Sequence, residues 1–424
     1  MKRTENISEN IDWITFGLYG ILVLLGWLNI YASVYTGNPE QTIWDLSQNS
    51  GRQLMFIAIS IVLIVGILTV DMRFFEATAY LLYALVVLLV FLVPFIGKEV
   101  GGNKAWLGVG GFGIQPSEFA KFVTALVVAR VISMPNFRLD RFSNLMILVG
   151  IIALPIGLIL LQKDWGTAMV FSVFFLVFYR EGLSAVPILI AVSGFILLLL
   201  TLLVPDQLYL EIAILIILVL AILIGNKKPK RLTLLILAAL IIVGIIESSD
   251  YVFTNVLKPH HQNRIKALIN PDLDPLGYGW NVTQSKIAIG SGGFLGKGFL
   301  KGTQTKFDFV PEQDTDFIFC TIGEEHGWFG SVIIVGLFTA LFLRLLFLAD
   351  RQKNKFSRVY IYSTVCILFF HFAVNIAMTI GLFPVIGIPL PFFSYGGSSM
   401  MAFTIMLFIA IKLDAHRAQV LQRI

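Results

Sequence analysis

Two groupings of carboxylates and cations stand out in an otherwise apolar sequence, and each could do chemistry. The first lies in the one long polar stretch, residues 248–314, where Asp272 and Asp274 stand among Arg264, Lys266 and Lys286, with Gln284 close by. Cations hold a leaving phosphate while a carboxylate takes the proton of an attacking hydroxyl, so this mix suits transfer from a diphosphate-linked donor. Simple solvation of loop charges is the plainer alternative. The second grouping is Glu118 and Lys121, which share one helix face at i and i+3 just inside an apolar run. Ionisable groups within a membrane span cost at least about 2.5 kcal/mol on insertion scales. The pair therefore either neutralises itself or lines a polar cavity.

Three further motifs carry weaker signals. In TDFIFCTIGEEHG, Asp316, Glu324, Glu325 and His326 precede an apolar run. Consecutive residues fan out around a helix, so Glu324, Glu325 and His326 cannot all ligate one metal. A helix packed beneath the polar loop, with hydrogen-bonded carboxylates, is the favoured reading. His371 and Asn375, at i and i+4, face one way beside Gly381–Gly397, which contains Ser394 and Tyr395. These four read as lining of a cavity or, for the first two, as a hydrogen-bonded core pair. GSGGFLGKG, from Gly290, resembles a phosphate loop but has Ser291 and Gly298 where a Walker motif needs Gly and Ser or Thr. Leu295 likewise stands where a dinucleotide loop needs its third glycine. A flexible surface turn is expected.

The elements that must position these residues are membrane helices. The chain is 57% hydrophobic and 13% charged, with a mean hydropathy of +0.85, whereas soluble domains carry about 25% charged residues. Its apolar runs reach the ~20 residues a helix needs to cross a bilayer and lack barrel-strand alternation. Spans are read at 13–34, 53–70, 75–96, 115–133, 144–161, 166–180, 185–204, 208–225, 232–247, 328–349, 359–380 and 397–412. The fold class is thus an all-α polytopic membrane protein of about twelve helices, residues 1–424 forming a single transmembrane domain. With the N-terminus inside, seventeen Lys and Arg fall in inner loops against four, Arg52, Lys98, Lys104 and Lys163, in short outer ones. Both termini are then cytoplasmic, and the 248–314 loop lies outside. Gly381–Gly397, broken by proline and glycine, should re-enter the membrane as irregular backbone buried in protein. Asn281–Ser291 reads as a short amphipathic helix on the membrane surface.

Basic residues scattered over short loops fit that sidedness rather than nucleic-acid binding. The cluster at 227–231 reads as a topology anchor. Cys320 and Cys366 give neither a disulfide framework nor metal spacing. No compact metal constellation exists, so no resident cofactor is expected; a weakly held divalent cation, Mg or Mn, on the diphosphate is the one metal role left open.

Four ordered segments, GGNKAWLGVGGFGIQPSEFAKF from Gly101, QKDWGTA from Gln162, Asn270–Gly330 and HFAVNIAMTIGLFPVIGIPLPFFSYGGSS from His371, resemble the shape, elongation, division and sporulation family of bacterial membrane proteins. The wording of GKGFLKGTQ and DFVPEQDTDFIF is closer to its elongation branch than to its division branch. The resemblance implies a peptidoglycan glycosyltransferase polymerising lipid II into a nascent glycan strand on the outer face of the cytoplasmic membrane. It also implies a class B penicillin-binding transpeptidase as partner within the elongation machinery. The aspartate of the family's DPLG motif falls on Asp274, as base toward the attacking sugar hydroxyl. Its QPSExAK motif falls on Glu118 and Lys121, its outer-loop aromatic on Trp106, and an upstream arginine on Arg264. Lys104 replaces the family's usual arginine, keeping the charge but losing the bidentate fork. QKDWGTA departs from the usual QPDLGTA at Lys163 and Trp165. Family members typically have ten spans, so 185–225 reads as an extra, peripheral helical pair. A division-type enzyme with the same chemistry, a lipid II flippase and a silent transpeptidase scaffold are the competing readings.

Overall fold

The computed structural model describes residues 10–35, 42–100, 103–108, 113–186, 278–307 and 309–417, together with parts of 189–248 and Gln262. Its helices are α1 (Trp13–Val34), α2 (Asn49–Thr69), α3 (Met72–Ile96), α4 (Pro116–Ile132), α5 (Phe142–Leu161), α6 (Trp165–Val170), α7 (Phe174–Arg180), α8 (Gln207–Ile224), α9 (Tyr278–Ser291), α10 (Ile318–Asp350), α11 (Lys355–Thr379) and α12 (Gly397–Ala415). A short hairpin, β1 (Lys98–Val100) and β2 (Asn103–Trp106), joins α3 to α4. Among the described residues seven helices, α1, α2, α3, α5, α10, α11 and α12, are long and apolar enough to cross a membrane. The expected span at 185–204 lies largely outside the described residues, and that at 232–247 is described only in part, each described residue being helical. The architecture is multi-pass and helical, with seven spans of full length visible against the twelve expected.

The chain divides into two compact units, Met1–Leu183 with Asn281–Ile424, and Ser184–Trp280. The second unit contains α8, which corresponds to the predicted span 208–225. In the first, α4 is buried on every side, including Glu118, Lys121 and Thr124. Its Ala- and Val-rich sequence allows close approach from all directions, which is why it shows no apolar stripe. α12 is similarly enclosed, 89% buried over its most apolar stretch, against 22% for the lipid-facing α3.

Side-chain caps fix where helices begin. Asp12 accepts from the Thr15 amide at 3.0 Å, Asp164 from Thr167 at 3.0 Å, and Asn354 from Phe356 at 2.9 Å. Both described ends of the chain meet at one face of the bundle. There Arg344 donates to Asp12 at 3.1 Å and Arg351 to Asp414 at 2.7 Å. Arg180 pairs with Asp350 and Arg358 with Glu181, each at 2.9 Å.

Two irregular segments complete the first unit. Residues 380–396 run without regular helix, as expected for a re-entrant stretch. Close packing needs glycine here: a Cβ at Gly26 of α1 would collide with Phe392 and Phe393, and one at Gly166 of α6 with the Ile386 carbonyl. Residues 290–298 form the expected surface turn, but backbone hydrogen bonds hold it to α10 where flexibility was expected. The Lys297 and Gly298 amides donate to the Glu324 and Glu325 carbonyls at 3.0 and 2.9 Å, and the Trp328 and Phe329 amides donate to Gly293 and Phe294 at 2.9 and 3.0 Å. α10 breaks at Gly327, φ 63°, and this turn satisfies the amides exposed by the break.

Candidate active site

The N-terminal turn of α4 brings the intramembrane charges into one place. Pro116 occupies the first turn, and the Gln115 amide donates to Ser398 Oγ of α12 at 2.9 Å. Lys121 Nζ then donates to Glu118 Oε2 at 2.8 Å and lies 3.0 Å from His371 Nε2 on α11. It also sits 4.7 Å over the Phe403 ring, against which His371 packs edge-on. Glu118, Lys121 and His371 are each at most 3% exposed. A buried lysine needs both an opposing charge and satisfied donors, and this arrangement supplies them.

The other face of His371 decides its tautomer. Nδ1 lies 3.2 Å from the Pro389 carbonyl, which can only accept, so Nδ1 carries the proton and Nε2 accepts from Lys121. Asn375, one turn on, donates to the carbonyls of Asp316 and Ile388, both at 2.8 Å. Ser394 Oγ donates to the Thr315 carbonyl at 2.6 Å and accepts from the Leu390 amide at 2.8 Å, and the Tyr395 amide donates to Asp314 at 2.8 Å. These residues therefore hold the irregular 380–396 backbone, satisfying groups that lipid could not.

Four further predicted positions are described. Lys104 pairs with Glu99 across the β1–β2 hairpin and donates to the Phe95 carbonyl at 3.4 Å. Trp106 ends β2 with its ring over Gly113. The predicted 281–291 helix is present within α9, but it packs on protein: Ser285 donates to the Thr379 carbonyl at 2.9 Å, while Val282, Gln284 and Ala288 are buried. Lys286 is exposed and crosses Gly381, φ 75°, whose missing Cβ leaves room for it. Asp274, Arg264, Asp272 and Lys266 lie outside the described residues.

Sequence reasoning missed one participant. Asp164 accepts from Gln115 Nε2 at 2.9 Å while capping α6, tying the QKDWGTA turn to the Glu118–Lys121 helix. An Asp-x-x-Thr spacing ahead of a helix was the available signal. Glu324, expected to be hydrogen-bonded under the loop, is held more completely than its sequence suggests. It accepts from Lys297 Nζ at 2.6 Å, from the amides of Thr303, Gln304 and Thr305 at 2.7, 2.9 and 3.0 Å, and from the two threonine hydroxyls. Among the described residues no three His, Cys, Asp or Glu side chains are grouped to hold a metal.

Known proteins resemble this chain over nearly its whole length. The chain is 34% identical to the peptidoglycan glycosyltransferase RodA of Treponema pallidum over 98% of its own length and 100% of that protein's. It is 32% identical to the peptidoglycan glycosyltransferase MrdB of Escherichia coli K12 over 98% of each. Among solved structures, Thermus thermophilus RodA superposes with a TM-score of 0.61 at 22% identity, covering 96% of this chain and 97% of that one. A chain from a peptidoglycan synthase complex that coordinates polymerization and crosslinking superposes at 0.68, with 24% identity and 96% and 99% coverage. The family model for FtsW, RodA and SpoVE, described as cell cycle proteins, matches residues 12–209 and 181–419, and the chain belongs to that family.

Proposed function

We propose that the chain is a peptidoglycan glycosyltransferase of the elongation type, polymerising lipid II at the outer face of the bacterial cytoplasmic membrane. The observation that carries this is near-complete correspondence, at 34% and 32% identity, with RodA and MrdB, both peptidoglycan glycosyltransferases. In the reaction a sugar hydroxyl attacks the anomeric carbon of the lipid-linked glycan, the glycosidic bond forms, and undecaprenyl diphosphate departs. Asp274 takes the hydroxyl proton. Arg264, Lys104 and Lys286 offset the charge developing on the diphosphate; a divalent cation, were one held by the diphosphate itself, would add to that charge. Trp106 and Gln284 border the sugar path. Glu118 and Lys121 form the buried floor, with Lys121 held by His371; both termini face the cytoplasm.

The proposed partner is a class B penicillin-binding transpeptidase, whose crosslinking would follow each polymerisation cycle.

Purified protein, alone and with that transpeptidase, should convert lipid II to glycan strands, and Asp274→Asn should abolish the product. Full activity in Asp274→Asn would refute the base assignment. Translocation of lipid II by vesicles that make no glycan would replace the whole reading with a flippase. Exhaustive chelation tests the cation: unchanged turnover removes it.

A further inference from the structure

The turn at 292–299 presents side chains that water would not stabilise. Phe294 is 63% exposed and Leu295 73%, and beside them Trp328 and Phe329 are 58% and 52% exposed. Phe294 stacks on Trp328 with ring centroids 5.2 Å apart. These residues are not loosely displayed. The Gly293 and Phe294 carbonyls accept from the Trp328 and Phe329 amides, so the turn closes the N-terminus of the membrane-crossing part of α10. Gly292, Gly296 and Gly327 have no room for a Cβ, being pressed against the backbone of Gly323, of Glu325 and of the turn itself. Its depth is therefore that of the first turn of the span.

Below Phe329 the same helix continues outward-facing with Val332 and Ile333, 46% and 45% exposed, which is the surface a spanning helix offers to lipid. The turn extends that lipid-facing surface upward without interruption. Aromatic rings at the end of a span, followed by a cation, match the composition of the boundary between acyl chains and headgroups. Lys301 is exposed six residues after Leu295, and Lys297 donates to Glu324, so the turn carries two ammonium groups in the chain just past its apolar rings.

We propose that residues Phe294 and Leu295, with Trp328 and Phe329, form an interfacial anchor that inserts into the leaflet on the loop side, its occupant being phospholipid at the acyl–headgroup boundary. The anchor fixes the height of the GKG turn and of α9, which ends at Ser291 directly before it.

The test places an environment-sensitive fluorophore at Leu295→Cys, and separately at Phe294→Cys, in a Cys320→Ala, Cys366→Ala background, with the full chain in phospholipid nanodiscs. Lipids carrying a nitroxide high on the acyl chain should quench both labels strongly, lipids with the nitroxide at the chain end less, and aqueous iodide little. The same label at Lys301→Cys should reverse the order, with iodide the stronger quencher. Adding Leu295→Glu to the Phe294→Cys reporter should cut its lipid quenching at least several-fold while circular dichroism stays unchanged. Strong iodide quenching at Leu295 and Phe294 would place the turn in water and overturn the proposal. Labels reached by neither quencher would show a protein-covered surface, a second copy of the chain in the disc included, and would overturn it equally.

Discussion

Lys121 and His371, 250 residues apart in sequence, meet at 3.0 Å in the buried interior of the helix bundle, and His371 passes the contact on to the Pro389 carbonyl. One hydrogen-bonded line thus runs from Glu118 on α4 through α11 to the irregular 380–396 backbone. Removing one member strands the next, which sets the direction of the first two predictions.

Lys121→Ala should leave Glu118 buried without its counter-charge and destabilise the protein by about 3–5 kcal/mol, as breaking one side of a buried pair does. The double variant Glu118→Ala, Lys121→Ala should recover much of that loss while remaining inactive. Thermal unfolding in detergent, run as a double-mutant cycle, checks it. Equal losses in single and double variants would mean the two charges do not compensate each other.

His371→Gln retains an acceptor for Lys121, whereas His371→Phe keeps the ring volume and removes it. The phenylalanine variant should lose about 1–3 kcal/mol, the cost of a stranded polar group, and most of its polymerase activity; the glutamine variant should keep a larger share of both. Indistinguishable variants would assign His371 to packing alone.

Asn375→Asp is nearly isosteric but turns the two donors to Asp316 and Ile388 into acceptors facing carbonyl oxygens. It should be harsher than Asn375→Ala, with about 1–3 kcal/mol lost per stranded carbonyl. Limited proteolysis should open first within 380–396. Cleavage unchanged there would show that the segment is held elsewhere.

Glu324→Gln keeps the shape of a carboxylate that binds one ammonium, three amides and two hydroxyls. Charge-assisted bonds are worth about 1.5–3 kcal/mol each, so the 297–305 loop should lose its protection against hydrogen exchange. Lys297→Ala removes one partner that is 26% exposed and should cost far less. A loop equally protected in both variants and the parent would contradict this.

Gly166→Ala places a methyl group against the Ile386 carbonyl, a backbone atom that cannot swing aside. Overpacking of this kind costs about 1–3 kcal/mol, and the melting temperature should fall accordingly. Gly150→Ala, where a Cβ meets nothing within 4 Å, is the matched control and should melt like the parent.

How much of this was legible beforehand depends on how far each interaction reaches along the chain. The length of apolar runs is a local property, so α1, α2, α3, α5, α11 and α12 follow from the sequence within a few residues of their observed bounds. The i,i+3 spacing of Glu118 and Lys121 is local too, and their pairing needs only a helix. A re-entrant 381–397 was equally readable, because proline and glycine deny it regular hydrogen bonds wherever it packs. The partners of those groups were another matter. That His371 accepts from Lys121, that Asp164 accepts from Gln115, and that Asn375 and Ser394 supply the missing bonds of 380–396 are contacts between helices, and no periodicity within one helix encodes its neighbour. The glycines of 290–298 make the same point. Taken alone, their conformational freedom reads as flexibility; in the fold, their missing side chains let the turn press onto the start of α10, and the freedom is lost to backbone hydrogen bonds.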